Sequence, residues 1–275
     1  MAVTGAGKGD VRGRRRAVDR GVREIWCDES GYEGEKLIDS TTPLFAHASV
    51  HLAEDVAKDL VGEVRARVRS PVSAYRAGHL LREKNRAVLR WFLGPESGVY
   101  GHGSVHVIDK ADWVATRVAA LLGVEAGRID RSPYVLAAAN DLLRGKDRPG
   151  VTDEFFRVSG LTEGRERAEL FRAWLLADPV VNSVLDPLVP ALLAAARRWG
   201  PVTVRHDRQI MLPPRRVEHL RELSGGLLLG LRFADLDSHA PIQVADMLAG
   251  TVRWIIEHPE SGLTALAEPY LDTAP

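Results

Sequence analysis

The chain has 275 residues, 45% apolar and 27% charged, which fits a folded globular protein of one large domain or a modest domain with an insertion. Its 37 Lys and Arg balance 37 Asp and Glu, so no global field draws it to nucleic acid or an anionic membrane, and any such role needs a local patch. One cysteine, Cys27, excludes a disulfide framework or a cysteine-rich zinc site. No stretch reads as a membrane span or a secretory leader, so a cytoplasmic protein is the default expectation.

Residues 1–22 are Gly-rich and basic with almost no apolar periodicity, and they read as a disordered arm. Arg12, Arg14, Arg15 and Arg16 suit phosphate contacts, and a plain solvated tail suits them equally. Glu24 to Asp28 read as a strand, with Ile25 and Cys27 on one face and Trp26 and Asp28 on the other. The strand runs into Asp28-Glu29-Ser30-Gly31, where the glycine permits a sharp turn. A carboxylate at the end of a strand is a common functional position in α/β folds, and a turn-capping Asp is the alternative. Leu44 to Leu52 form a second strand with His47 and His51 on a polar face. A helix follows over 53–70 and a second, Arg-rich helical pattern over 73–93.

Gly101 to Asp109 give a third strand, followed by Lys110 and a helix through Leu122. Residues 130–178 are helical and charge-rich, and they read as an insertion or lid beside the site, without a core of its own. A long Leu/Ala-rich helix is expected over 180–199, then a short strand over 201–207 ending in Asp207, and a helix over 213–223. The strand after Gly225-Gly226 ends at Asp235 and Asp237. The last helix, with Ser238 as its cap and Pro241 in its first turn, carries Asp246 at the edge of an apolar face. Gly250, one turn on, leaves room for something to approach. Residues 258–275 read as a polar tail.

Three strands thus end in acids, Asp28, Asp207 and Asp235 or Asp237, and a helix offers Asp246. If the first and fourth strands are parallel neighbours, Asp28 and Asp207 share one sheet edge. Clustered carboxylates repel unless a divalent cation holds them, and oxygen-only ligands favour Mg²⁺ or Mn²⁺. Two such ions could activate water and stabilise the leaving oxygen of a phosphodiester. The chain has no glycine-rich phosphate loop, no HExxH, no GxSxG and no Cys–His pairing to support other chemistries.

Asp28-Glu29-Ser30-Gly31 at one end, and Asp237-Ser238 followed by Gln243-Val244-Ala245-Asp246-Met247-Leu248-Ala249-Gly250 at the other, resemble the two signature motifs of the DUF3800 family. Lys110 after the third strand and Asp207 after Arg205-His206 also stand where such proteins carry a Lys and an Asp. The resemblance spans roughly residues 23–256 and is specific at its two ends. It implies a ribonuclease H-like fold and a metal-dependent nuclease, with Asp28, Asp207 and Asp246 as metal-binding acids and Glu29 as part of the motif. Glu29 is turned away from Asp28 by strand alternation. Many members place a Glu and a Lys near the helix after the second strand. Here Tyr75-Arg76-Ala77-Gly78-His79 stand there, with Arg76 in place of the Lys and no counterpart of the Glu.

The resulting expectation is one α/β domain over 23–257, with a five-stranded mixed sheet, helices on both faces and the 130–178 insertion. Its expected function is Mg²⁺- or Mn²⁺-dependent phosphodiester hydrolysis on DNA or RNA. Asp28 and Asp246 bridge the metals and Asp207 is the third ligand. Lys110, Arg76, His206 and Gln243 are candidate substrate contacts, and Asp235 and Asp237 are secondary acids. The alternative is a non-catalytic binding or regulatory protein of the same fold, in a defence or mobile-element setting.

Overall fold

A computed structural model describes residues 22–72, 74–145, 147–178, 185–209 and 212–272. Apart from Val22, the expected basic arm lies outside the described residues. The chain begins with β1 (Arg23–Ser30), β2 (Leu44–Val50), α1 (Glu54–Val68), α2 (Ala77–Leu80), α3 (Arg86–Leu93) and β3 (Gly103–Asp109). It continues through α4 (Lys110–Leu122), α5 (Pro133–Leu143), α6 (Val151–Ser159), α7 (Arg165–Ala177) and α8 (Leu188–Trp199). Then come β4 (Val202–Asp207), α9 (Pro214–Leu223), β5 (Leu228–Ala234), α10 (Ala240–Glu257) and α11 (Thr264–Ala267).

The five strands form one mixed sheet in the order β3-β2-β1-β4-β5. β2 pairs antiparallel with β1 and with β3, whereas β4 pairs parallel with β1 and with β5. This is the ribonuclease H-like arrangement, and its parallel half needs long crossovers, which the helical stretch before β4 provides. The register Cys27↔His206 places Asp28 beside Asp207 where both strands leave the sheet.

β1 is central, so both its faces are buried. Trp26 joins Ala46, Ala48 and Val50 under α1, α3 and α10, packed against Val64, Leu89, Met247 and Leu248. Ile25 and Cys27 face the other way, against Leu188, Leu192 and Ala196 of α8. Cys27 is fully buried, and burial together with Asp28 and Glu29 pushes its thiol pKa well up, which leaves it inert. A third cluster joins Phe155, Phe171 and Leu136 of the 133–177 helices to Val114 and Val118 of α4. The insertion therefore shares its core with α4.

Several local readings need correction. The helix expected over 73–93 is broken into α2, a short 3₁₀ turn and α3. Side chains there compete for the backbone: His79 Nδ1 accepts from the Arg76 N–H at 3.2 Å, and Asn85 Nδ2 donates to the His79 carbonyl at 2.6 Å. The helix expected from 180 starts at Leu188, because Pro187 sits at its cap and Asp186 takes up the Leu188 N–H at 3.0 Å. Residues 179–184 lie outside the described residues. Ser238 does not cap α10, whose cap position is His239. His47 is not on a polar surface but 1% exposed. The expected polar tail is instead anchored: Leu263, Ala267 and Tyr270 are buried, and the Tyr270 hydroxyl donates to the Leu93 carbonyl at 3.0 Å. Their spacing is that of one helical face, sparse enough to be missed.

Candidate metal centre

The parallel pairing of β1 with β4 supplies two of the acids, and α10, packed across the same face of the sheet, supplies a third. Asp28 is 5% exposed, and its Oδ1 accepts the Glu29 N–H at 2.8 Å. Asp246 Oδ2 accepts the Ala77 N–H at 3.2 Å. Gly250 makes that contact possible, since a Cβ there would overlap the Ala77 Cβ. The room that Gly250 leaves is therefore filled by α2. Gly250→Ala tests this. On an exposed helix the change stabilises, but here overpacking should cost about 1–3 kcal/mol in urea denaturation, and a neutral or stabilising result would refute the close approach.

The acids feel one another. Burial raises the Asp28 pKa well above the carboxylate range, and the charges of Glu29, Asp246 and Asp207 raise it further. Asp246 is pushed up to about 6 by burial, with Asp207 adding to the rise and the Ala77 N–H and the Arg76 guanidinium opposing it.

Glu29 lies on the opposite face of β1, across from its register partner His47. Its pKa is pushed up to about 8 by burial, then by the charges of Asp207, Asp186 and Asp246. Gln209 Nε2 donates to Glu29 Oε1. Glu29 Oε2 has no hydrogen-bond partner among the described residues and lies 3.6 Å from His206 Nε2. His206 Nδ1 donates to the Asp207 carbonyl at 2.8 Å, so its Nε2 carries no proton and accepts the N–H of His47 Nε2 at 3.2 Å. Burial holds both histidines in the neutral form, His206 at about 4.

This donor set suits a hard divalent cation: its donors are oxygens, mutually repelling, mostly buried, and one oxygen atom is orphaned. Its side chains stand apart, however. Among the described residues no three His, Cys, Asp or Glu form a closed metal-holding group.

The other expected site residues divide. Arg76 is exposed and close enough to Asp246 to lower its pKa. Lys110 is 1% exposed, and its ammonium is bound by Ser40 Oγ at 2.9 Å, the Thr42 carbonyl at 2.8 Å and Thr42 Oγ1 at 3.2 Å. It holds the turn before β2 and is not free for phosphate. His206 is fully buried beneath the sheet. Gln243 spends both ends of its amide on the backbone, accepting from the Tyr75 N–H and donating to the Leu236 carbonyl, each at 3.3 Å. Asp235 is exposed and paired with Arg208 at 3.3 Å, and Asp237 is exposed. A cleft of about 620 Å³ lies between α5 and α6, but none of the acids lines it.

Sequence reading missed Asp186, Gln209 and His47 as neighbours of the site. Asp186 precedes a proline and so marks a helix start, a signal that the longer helix reading obscured. The fold and the site define an α/β protein with a ribonuclease H-like sheet and acids gathered where two parallel strands end. No family model, curated protein or solved structure matches the chain. Among the described residues no helix is long and apolar enough to cross a membrane.

Proposed function

We propose that the chain is a Mg²⁺- or Mn²⁺-dependent nuclease of the DUF3800 type, acting on DNA or RNA in the cytoplasm. The observation that carries this reading is the parallel register Cys27↔His206, which brings Asp28 beside Asp207 on the side of the sheet that α10, bearing Asp246, covers. Asp28, Asp207 and Asp246 come from three separate elements, and Asp207 and Asp246 both raise the Asp28 pKa, with burial the larger cause. Ionising these acids together in the fold costs free energy, which protonation relieves at low pH and a divalent cation would offset at neutral pH.

Asp28 and Asp246 would hold the ion, with Asp207 completing the set and Glu29 behind it. Bound there, the ion supplies a Lewis acid and a more acidic water. Arg76, exposed and near enough to Asp246 to lower its pKa, would meet a substrate phosphate. The Ala77 N–H fixes one Asp246 oxygen and leaves the other free to ligate.

A second reading, a non-catalytic binding or regulatory protein in a defence or mobile-element setting, draws support from the structural use of Lys110 and Gln243, two expected substrate contacts that are spent on the fold. Melting curves with and without Mn²⁺, run beside a cleavage assay on single-stranded and duplex DNA and RNA, separate the two. The nuclease reading requires both metal stabilisation and cleavage, and stabilisation without cleavage of any substrate moves the assignment to the binding protein.

A further inference from the structure

Residues 65–90 carry eight Lys and Arg against one acid, Glu83, in a chain whose charges cancel overall. The helical insertion spends arginines on neighbouring acids, Arg157 on Glu154 and Arg165 on Asp153, each at 2.6 Å. In the basic segment Arg67 pairs with Glu63 and Arg86 with Glu83, each at 3.0 Å. Arg69, Arg76, Arg82, Lys84 and Arg90 are exposed and form no ion pair among the described residues. Like charges left together on one segment repel, and a polyanion is the partner that relieves them.

The segment is held firmly along α10. The Ala77 N–H donates to Asp246 Oδ2 at 3.2 Å, the Ala77 Cβ fills the space over Gly250, and the Arg86 guanidinium lies 5.4 Å from the Trp254 ring centre. From Asp246 to Trp254 the helix rises about 12 Å. The segment's own polar groups fix its backbone: the Tyr75 hydroxyl donates to the Ser70 carbonyl and Asn85 Nδ2 to the His79 carbonyl, each at 2.6 Å. Its unpaired cations therefore sit on a rigid support that starts beside Asp246, whose pKa Arg76 lowers.

The chemistry of the segment narrows the polyanion. Seven of its eight cations are Arg, the side chain suited to phosphate. Anchoring on an anionic membrane needs exposed apolar side chains, and none of the large exposed hydrophobic residues falls in the described part of this segment. Binding a single strand draws on aromatic platforms for unstacked bases, and Tyr75, the segment's one Phe, Tyr or Trp, is fully buried. A duplex offers phosphates at high density and asks for no stacking.

We propose that residues 65–90 form a docking surface for the phosphate backbone of duplex nucleic acid, read without regard to sequence and leading to the acid site at Asp246. This surface deepens the nuclease reading above and rests on its nucleic-acid half, not on its metal.

Binding of the full chain to a short duplex and to a single strand of the same length, in chelator and from about 50 to 200 mM salt, tests it. The duplex should bind more tightly, with log affinity falling against log salt at a slope of about −3 to −5. Arg82→Gln combined with Lys84→Gln should weaken duplex binding at least about tenfold at the low-salt end and make the slope shallower by about 2. Arg128→Gln combined with Arg157→Gln removes the same charge from exposed sites on the other side of β3 in the chain and should leave binding near that of the wild type. Both variants should melt like the wild type, because all four side chains are exposed. Equal weakening by the two variants, or no weakening by the first, would overturn the surface. So would tighter binding to the single strand, or equally tight binding to vesicles of phosphatidylserine and phosphatidylcholine. None of these results touches the metal site, which stands or falls on the Mn²⁺ melting curves. A wild type that neither binds duplex in chelator nor cleaves any nucleic acid with Mn²⁺ would overturn both the surface and the nuclease reading.

Discussion

Asp246→Asn is expected to abolish most of the response to divalent metal and to slow cleavage by on the order of 10²–10³-fold while leaving the metal-free protein folded. The amide has the shape of the carboxylate, and its oxygen can still accept the Ala77 N–H now held at 3.2 Å. What it loses is charge. The Asp246 pKa is raised to about 6, so at pH 8 the acid is ionised within a cluster that resists ionisation. Without metal, the neutral variant should therefore melt at or slightly above the wild type. With Mn²⁺ well above its dissociation constant, the wild type should gain about 1–3 kcal/mol by mass action. The variant should gain little of this, and its cleavage rate should fall on the order of 10²–10³-fold, as when one preorganised charge stabiliser is removed. Paired melting curves and a cleavage assay measure both effects. Equal metal responses in the two proteins would falsify the metal site, however similar their stabilities.

Much of the architecture was legible because it follows from periodicity. Alternation in β1 assigned Ile25 and Cys27 to one face and Trp26 to the other, and those are the faces that meet α8 and α10. Where local bonds outweigh periodicity, reading failed. The His79 and Asn85 side chains break a helix whose apolar spacing looks continuous, and Asp186-Pro187 starts one later than its Leu/Ala content suggests. Single residues of the tail, Leu263 and Tyr270, fill gaps in the core that no local pattern announces.

The site was legible in part for a similar reason. Acids at strand ends can be read from sequence, and parallel pairing of the two strands is what makes neighbours of Asp28 and Asp207. Side-chain partners at long range cannot be read that way. Lys110 and Gln243 lie beside motif residues, yet each satisfies a backbone group far away in the chain, the Thr42 carbonyl and the Tyr75 N–H. Burial decides this: a polar group taken from water bonds to whatever the fold brings within reach. His47 and His206 follow the same rule beneath the sheet, where they enclose Glu29 in a neutral, desolvated setting.

That setting gives the metal-free protein a particular dependence on pH. Glu29 holds its proton up to about pH 8 in the folded chain, against an ordinary value of 4.5. Its contribution to stability is therefore complete below about pH 4.5 and is lost as the pH rises to about 8, because there the folded chain binds more protons than the unfolded one. Asp246 acts in the same sense up to about 6, and Asp28, also raised, adds to it. His206 acts oppositely: lowered from 6.5 to about 4, it favours the folded chain above pH 6.5 and disfavours it as pH falls towards 4. The two effects offset each other in mildly acidic solution. Above pH 6.5 the histidine no longer titrates and the acids are unopposed. Stability without metal should then fall between pH 6.5 and 8 by up to about 2 kcal/mol, or about 4–8 °C in melting temperature. Glu29→Gln, which keeps the neutral shape and can still accept from Gln209, should flatten most of that slope. Saturating Mn²⁺ should reverse it, since the cation binds the deprotonated acids and gains as protons leave. Thermal melts at half-unit pH steps, in chelator and in Mn²⁺, read all three curves. A metal-free wild type whose melting temperature is flat or rises from pH 6.5 to 8 would show that Glu29 is already ionised at neutrality, and that water reaches its carboxylate more freely than its burial implies.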